Sequence, residues 1–328
     1  MTGLFNVDYR AQQHEGVVSE YTNQAESKSF FLTALTWTGS VTPRVLPRVA
    51  AAALYAAVIV YLAKLFPHFS VPITPFEYSG AVLGLLLVLR TNSGMDRWWE
   101  ARKIWGSIVN QSRNLAIIGS EYAPFKKELT PRFLRMVAAW PHVMRESLRK
   151  ETQLKETELL LGAQETAKVR AAQHMPTYVG ARIAGLLREM RSSGLDDFAF
   201  HRAETERSIL IDDIGACERI LNTPMPFVLA IKTRRFIFLF LLLLPLALVD
   251  RADWLTPLVV ALASYPLFSL DEIGAELQNP FSPRNLSHLP LTAICQTIEK
   301  NVMSLEEVEI SPPRPIPPSH TAEVRFLT

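Results

Sequence analysis

Four apolar stretches, at about residues 49–66, 76–89, 236–249 and 254–270, constrain this chain more than any other feature. An α-helix needs about 20 mostly apolar residues to cross a hydrocarbon layer about 30 Å thick, and all four stretches approach that requirement. The first, from Val49 to Phe66, is rich in Ala and Val, follows Arg44 and Arg48, and carries Lys64 close enough to its far end to snorkel. Pro67, Pro72 and Pro75 then interrupt the chain before the second stretch, Phe76 to Leu89. The third, Phe236 to Val249, is dominated by Phe, Leu and Ile, and the fourth, Trp254 to Leu270, has no charged residue. Only Asp250 to Asp253 separate these two, so they form a tight hairpin. The link between the first pair is also short, which points both hairpins to one side.

Orientation follows from where the cations fall. Arg44, Arg48, Arg90, Arg97, Arg102, Lys103, Lys232, Arg234 and Arg235 all lie at the ends opposite the hairpins. The positive-inside rule makes that side cytosolic, with both termini there, in a multi-pass protein of the cell (inner or plasma) membrane. The N-terminal residues lack the basic-then-apolar layout of a signal peptide, so the first membrane helix is expected to act as the targeting signal.

From Ile104 to Met225 the polarity is that of a soluble protein, with Phe133, Met136, Val137, Trp140 and Met144 at helical spacing. A chain of 328 residues that is 48% hydrophobic and 20% charged has material for both a membrane part and a helical cytosolic domain. Its net charge of +2 gives no reason to expect a nucleic-acid partner. Cys217 and Cys295 stand alone, and His142, His174 and His201 are scattered, so no zinc site or disulfide framework is indicated. No metalloprotease, phosphate-loop or nucleophile-elbow motif is present, which leaves an enzyme without a recognisable catalytic site.

At about 100° per residue, Ala81, Leu85, Leu89, Asn92 and Asp96 share one helical face that passes from apolar to polar. Such a gradient suits a constriction that works by dewetting, with polar groups beyond it to rehydrate an ion. Nearly every residue from Ala81 to Leu89 is apolar, however, so periodicity alone does not choose a pore face over a lipid face. Gly80 and Gly84 form a small-xxx-small pair read as helix packing. Asp96, Arg97, Glu100, Arg102 and Lys103 are read first as charges pairing with one another on a solvated helix end, and second as a charged ring. Glu218 and Arg219 are expected to form an ion pair or a subunit contact. Glu204, Glu206, Asp212 and Asp213 are expected on a solvated face, and the stretch from Ile209 to Ile220 is a candidate for a second constriction.

The run from Arg90 to Gly106, centred on Asp96-Arg97-Trp98-Trp99-Glu100, resembles the bacterial branch of the bestrophin family of ion channels. Two further matches follow in order, Cys217 to Pro226 with Glu218-Arg219, and Gln278-Asn279-Pro280-Phe281. The resemblance implies a ring-shaped homopentamer around one axial pore, lined by the second membrane helix. Carried over by distance from Arg97-Trp98, the neck falls on Ala81, Leu85 and Leu89, with Asn92 and Asp96 below it. Where animal members carry a calcium clasp of aspartates after Asn-Pro-Phe, this chain has Ser282-Pro283-Arg284-Asn285. Calcium favours 6–8 oxygen ligands including carboxylates, so no calcium clasp and no other cofactor is expected here.

The expected fold is all-α: a cytosolic segment (1–43), two membrane helices (44–103), a cytosolic helical domain (104–226), two more membrane helices (227–272), a cytosolic helical segment (273–310) and a proline-rich tail (311–328). The expected partners are further copies of the chain, membrane lipid and small inorganic ions. The expected function is passive conduction, with anions indicated by the family resemblance. A cation-selective channel of the same fold and a non-conducting membrane scaffold are the alternatives.

Overall fold

The computed structural model describes residues 30–37, 39–66, 71–122 and 129–306, and every regular element within them is helical. The proline-rich tail and residues 1–29 lie outside the described residues. In chain order the helices are α1 (Phe30–Ala34), α2 (Thr42–Leu65), α3 (Thr74–Glu121), α4 (Leu129–Arg149), α5 (Lys155–Leu161), α6 (Ala163–Ala171), α7 (Met175–Ser192), α8 (Asp197–Asn222), α9 (Phe227–Ala252), α10 (Thr256–Glu276) and α11 (Leu291–Met303). A 3₁₀ turn, Asp253–Leu255, joins α9 to α10.

Local chemistry explains where these helices begin. Pro43, Pro75 and Pro257 sit in the first turns of α2, α3 and α10, where a missing N–H costs nothing and the fixed φ favours the helix. The Asp196 carboxylate accepts from the N–H groups of Phe198 and Ala199 at 2.9 and 3.1 Å, capping α8. Helix α3 runs 48 residues without an internal proline, about 72 Å at the normal rise.

Two cores lie along α3. Its first part joins α2, α9 and α10 in a four-helix unit built on Ala56, Leu83, Leu87, Ile237, Leu241, Leu244 and Val260. Its second part enters a helical domain, where Trp105, Ile108 and Leu115 meet Phe133 and Trp140 of α4, Ile183 of α7, Ile214 of α8 and Ile298 of α11. Gly119 lets α4 seat the Phe133 ring directly against α3, because a Cβ there would overlap that ring. One continuous helix therefore couples the two units.

The turns of the four-helix unit meet at one end. Lys64 pairs with Asp253 at 3.0 Å and sits 3.8 Å from the centre of the Trp254 ring, and Val71 N donates to Leu246 O at 3.2 Å. Both hairpins thus point the same way, as their short links imply. Among the described residues one helix, Thr42–Leu65, is long and apolar enough to cross a membrane by length and composition alone. The apolar runs of α3, α9 and α10 are parts of longer helices that carry charge at the end opposite the hairpins.

Candidate functional site

The outward face of α3 carries the residues expected from the sequence to form a neck. Leu83, Leu87, Arg90 and Gly94 turn inward and are buried within the subunit, whereas Ala81, Leu85, Leu89, Asn92 and Asp96 are exposed. Leu85 and Leu89 are 61% and 54% accessible, although each is as apolar as its buried neighbours. Sequence periodicity could not separate these two faces. Packing does so, because α9 and α10 cover only the side that carries Leu83 and Leu87. The exposed stripe continues past Asp96 to Lys103 and Asn110, so it changes from apolar to polar along its length.

Immediately behind this stripe, a belt of charge ties the four helices together. Arg90 of α3, 3% exposed, pairs with Asp271 of α10, 4% exposed, and Arg234 of α9 donates through Nε to the other Asp271 oxygen at 3.0 Å. On α2, Arg44 pairs with Glu276 and Arg48 with Glu272 at 2.9 Å. Four arginines therefore face three carboxylates, with all three carboxylates on α10. Sequence reasoning counted the arginines for orientation and overlooked these partners. The missed signal was Asp271-Glu272, an acidic pair at the end of an otherwise uncharged apolar stretch.

Arg97 takes a different role from the one expected. Instead of joining neighbouring carboxylates, its guanidinium donates to backbone carbonyls of Ile220 and of Thr223, the latter at 2.9 Å, and lies 3.4 Å from that of Gln278. It thereby places positive charge at the C-terminal end of α8, where carbonyls lack helical partners. Trp98 Nε1 donates to Ser287 O at 2.7 Å, while the exposed Trp99 ring stacks beside Trp98. The Asn279 side chain accepts from Phe281 N at 3.1 Å, and Pro280 O accepts from Leu289 N at 2.8 Å, a fold that carries the Phe281 ring into the core of the helical domain.

Several other expectations need correction. Glu218 and Arg219 do not pair with each other, because each reaches a partner on another element. Glu218 bonds His174 Nε2 at 2.6 Å, and Arg219 bonds Glu100 at 2.7 Å. Gly80 lies against the Phe240 ring, whereas a Cβ built at the half-buried Gly84 would meet no atom within 4 Å among the described residues. Glu206 is fully buried beside Arg202 rather than solvated, and burial pushes the Asp213 carboxyl above its ordinary value. Along Ile209 to Ile220, Leu210, Ile214, Cys217 and Ile220 are buried in the subunit core. The large apolar side chain that α8 turns outward is Phe198, 86% exposed.

Segment Ser282 to Asn285 presents no carboxylate of its own. The nearby Glu276 already accepts from Leu286 N and pairs with Arg44, and the Arg284 carbonyl faces Arg44 at 3.4 Å. Among the described residues no cluster of three His, Cys, Asp or Glu side chains could hold a metal ion.

Comparison with known proteins places this architecture. Residues 22–304 match the family described as bacterial and fungal bestrophin proteins. A voltage-dependent anion channel-forming protein of Nostoc is 35% identical over 85% of this chain and 92% of its own length. One with the same description from Mesorhizobium japonicum is 37% identical over 85% of this chain and 90% of its own. The crystal structure of a bacterial bestrophin homologue from Klebsiella pneumoniae superposes with a TM-score of 0.74 at 26% identity, covering 80% of this chain and 98% of that one.

Proposed function

The chain belongs to the bacterial and fungal bestrophin family, a family of membrane-embedded channels and not of enzymes, and we propose that it assembles as a homopentameric channel for small anions. Four helices of each subunit, α2, the first part of α3, α9 and α10, cross the membrane, with the hairpins outside and both termini in the cytosol. The α3 stripe faces the shared axis, so that Ala81, Leu85 and Leu89 form the neck and Asn92 and Asp96 lie below it. The observation that carries this reading is the exposure of Leu85 and Leu89 on a helix whose opposite side is fully packed.

Physical chemistry supports a ring. A single subunit leaves Leu54, Leu85, Phe238, Leu258 and Leu262 bare on different helices, more apolar surface than a monomer in water retains. Lipid can cover most of these, but no aqueous path exists until copies of one face close around an axis. An apolar ring holds back ions through dewetting rather than through charge, and it sets no preference of sign. The anion assignment is supported by the description of the relatives as anion channel-forming proteins.

The test is single-channel recording. Leu85→Ala combined with Leu89→Ala widens and hydrates the neck, raising unitary conductance by a factor of about two or more, since dewetting depends steeply on constriction size. Unchanged unitary current in the double mutant removes both residues from the pathway. Because Glu272 and Glu276 are held by arginines and Ser282 to Asn285 offers no carboxylate, calcium added to the cytosolic side leaves open probability unchanged. Activation by micromolar calcium would refute that part of the reading.

A further inference from the structure

Between α2 and α9 lies a cavity of about 590 Å³, lined by Arg48, Ala51, Tyr55, Arg234, Phe238 and Leu242 among others. Tyr55 Oη donates to Leu242 O at 3.0 Å and closes its far end, while Arg48 and Arg234 stand at the end where the charged belt lies. From Arg234 to Leu242 the groove runs about 12 Å along the helix axis at the standard rise. Past the tyrosine bridge a smaller apolar cavity, lined by Ile59, Leu62, Phe66 and Leu246, continues the same seam.

We propose that this groove binds an anionic glycerophospholipid, with Arg48 and Arg234 holding the phosphate and an acyl chain lying between α2 and α9. The site is separate from the pore. The proposal rests on membrane embedding and is independent of conduction.

Three observations converge on this ligand. Arg48 donates to Glu272 through one Nη and Arg234 to Asp271 through Nε, so most of the five donors on each guanidinium remain for an anion. The belt has one more arginine than carboxylates, and the exposed Lys232 and Arg235 at the start of α9 add to that excess. Beyond the mouth, where Asp271 is engaged by Arg90 and Arg234, the walls up to the Tyr55 bridge are Ala, Phe, Leu and Ile, which match hydrocarbon. A neighbouring subunit's apolar helix would cover these walls and leave the guanidinium donors unused, whereas a phosphodiester takes them. A zwitterionic lipid brings an ammonium group into a site that already has excess positive charge, so it binds less well.

The test uses the intact protein, stripped of lipid in detergent and titrated with phosphatidylglycerol or phosphatidylcholine, with bound lipid per subunit read by native mass spectrometry. Wild type retains phosphatidylglycerol at least about tenfold more tightly, because both lipids offer the phosphodiester but only phosphatidylcholine brings a further cation against the arginines. Arg234→Gln reduces that preference. Ala51→Trp, which fills the groove from an exposed position and leaves every belt ion pair intact, abolishes retention. Equal retention of the two lipids by wild type overturns the proposal. So does undiminished phosphatidylglycerol binding by the Ala51→Trp variant, or an image of the particle with a neighbouring subunit's side chains in the groove.

Discussion

At the residue scale, the most consequential side chain is Asp271. It is buried, it accepts from two arginines on two other helices, and it directly follows an apolar stretch free of charge. Removing its charge leaves Arg90 buried without a counter-ion, and uncompensated buried charge of this kind costs about 3–5 kcal/mol. Asp271→Asn is therefore expected to lower the thermal midpoint sharply, or to abolish assembled protein, whereas Glu272→Gln is expected to cost about 1 kcal/mol at most because Arg48 is half exposed. Equal melting curves for the two variants would contradict the assignment of Asp271 as the centre of the belt. The contrast also marks what single-residue reading can reach. Arg90, Arg97 and Arg234 were each visible as basic residues, but a carboxylate 181 residues away in the chain, or three backbone carbonyls as for Arg97, leaves no local signature.

At the element scale, α3 was legible in its extent and ambiguous in its rotation. The absence of proline from Phe76 through the charged run to Glu121 predicts one unbroken helix, and one is present. Which of its leucines face inward depends on α9 and α10, whose packing sets the azimuth and whose register the sequence does not reveal. The two leucine sets now make opposite predictions. Leu83→Ala with Leu87→Ala opens cavities in a packed core and is expected to cost about 2–5 kcal/mol per site with no gain in unitary conductance. Leu85→Ala with Leu89→Ala is expected to raise conductance with little loss of stability, since neither side chain is buried within its subunit. Melting temperature and single-channel current measured on both pairs decide the rotation of the helix. A conductance gain from the buried pair alone would reverse the assignment. The same dependence on tertiary packing explains α8, where Leu210, Ile214, Cys217 and Ile220 build the core and an outward aromatic ring, Phe198, occurs about three turns before Ile209 on the same helix.

At the scale of the whole molecule, the division into an apolar four-helix unit and a helical domain follows from hydropathy and from the polarity change after Leu89, and both cores are found along one continuous helix. Assembly was not legible in physical terms, since symmetry between copies leaves no trace in one copy's periodicity; it entered through the likeness of Arg90 to Gly106 to a family motif. Purified protein reconstituted in bilayers across a potassium chloride gradient is expected to pass current whose reversal potential moves toward the chloride equilibrium potential as the gradient steepens. A reversal potential that tracks potassium instead, or silent bilayers containing intact, assembled protein, would contradict the anion channel.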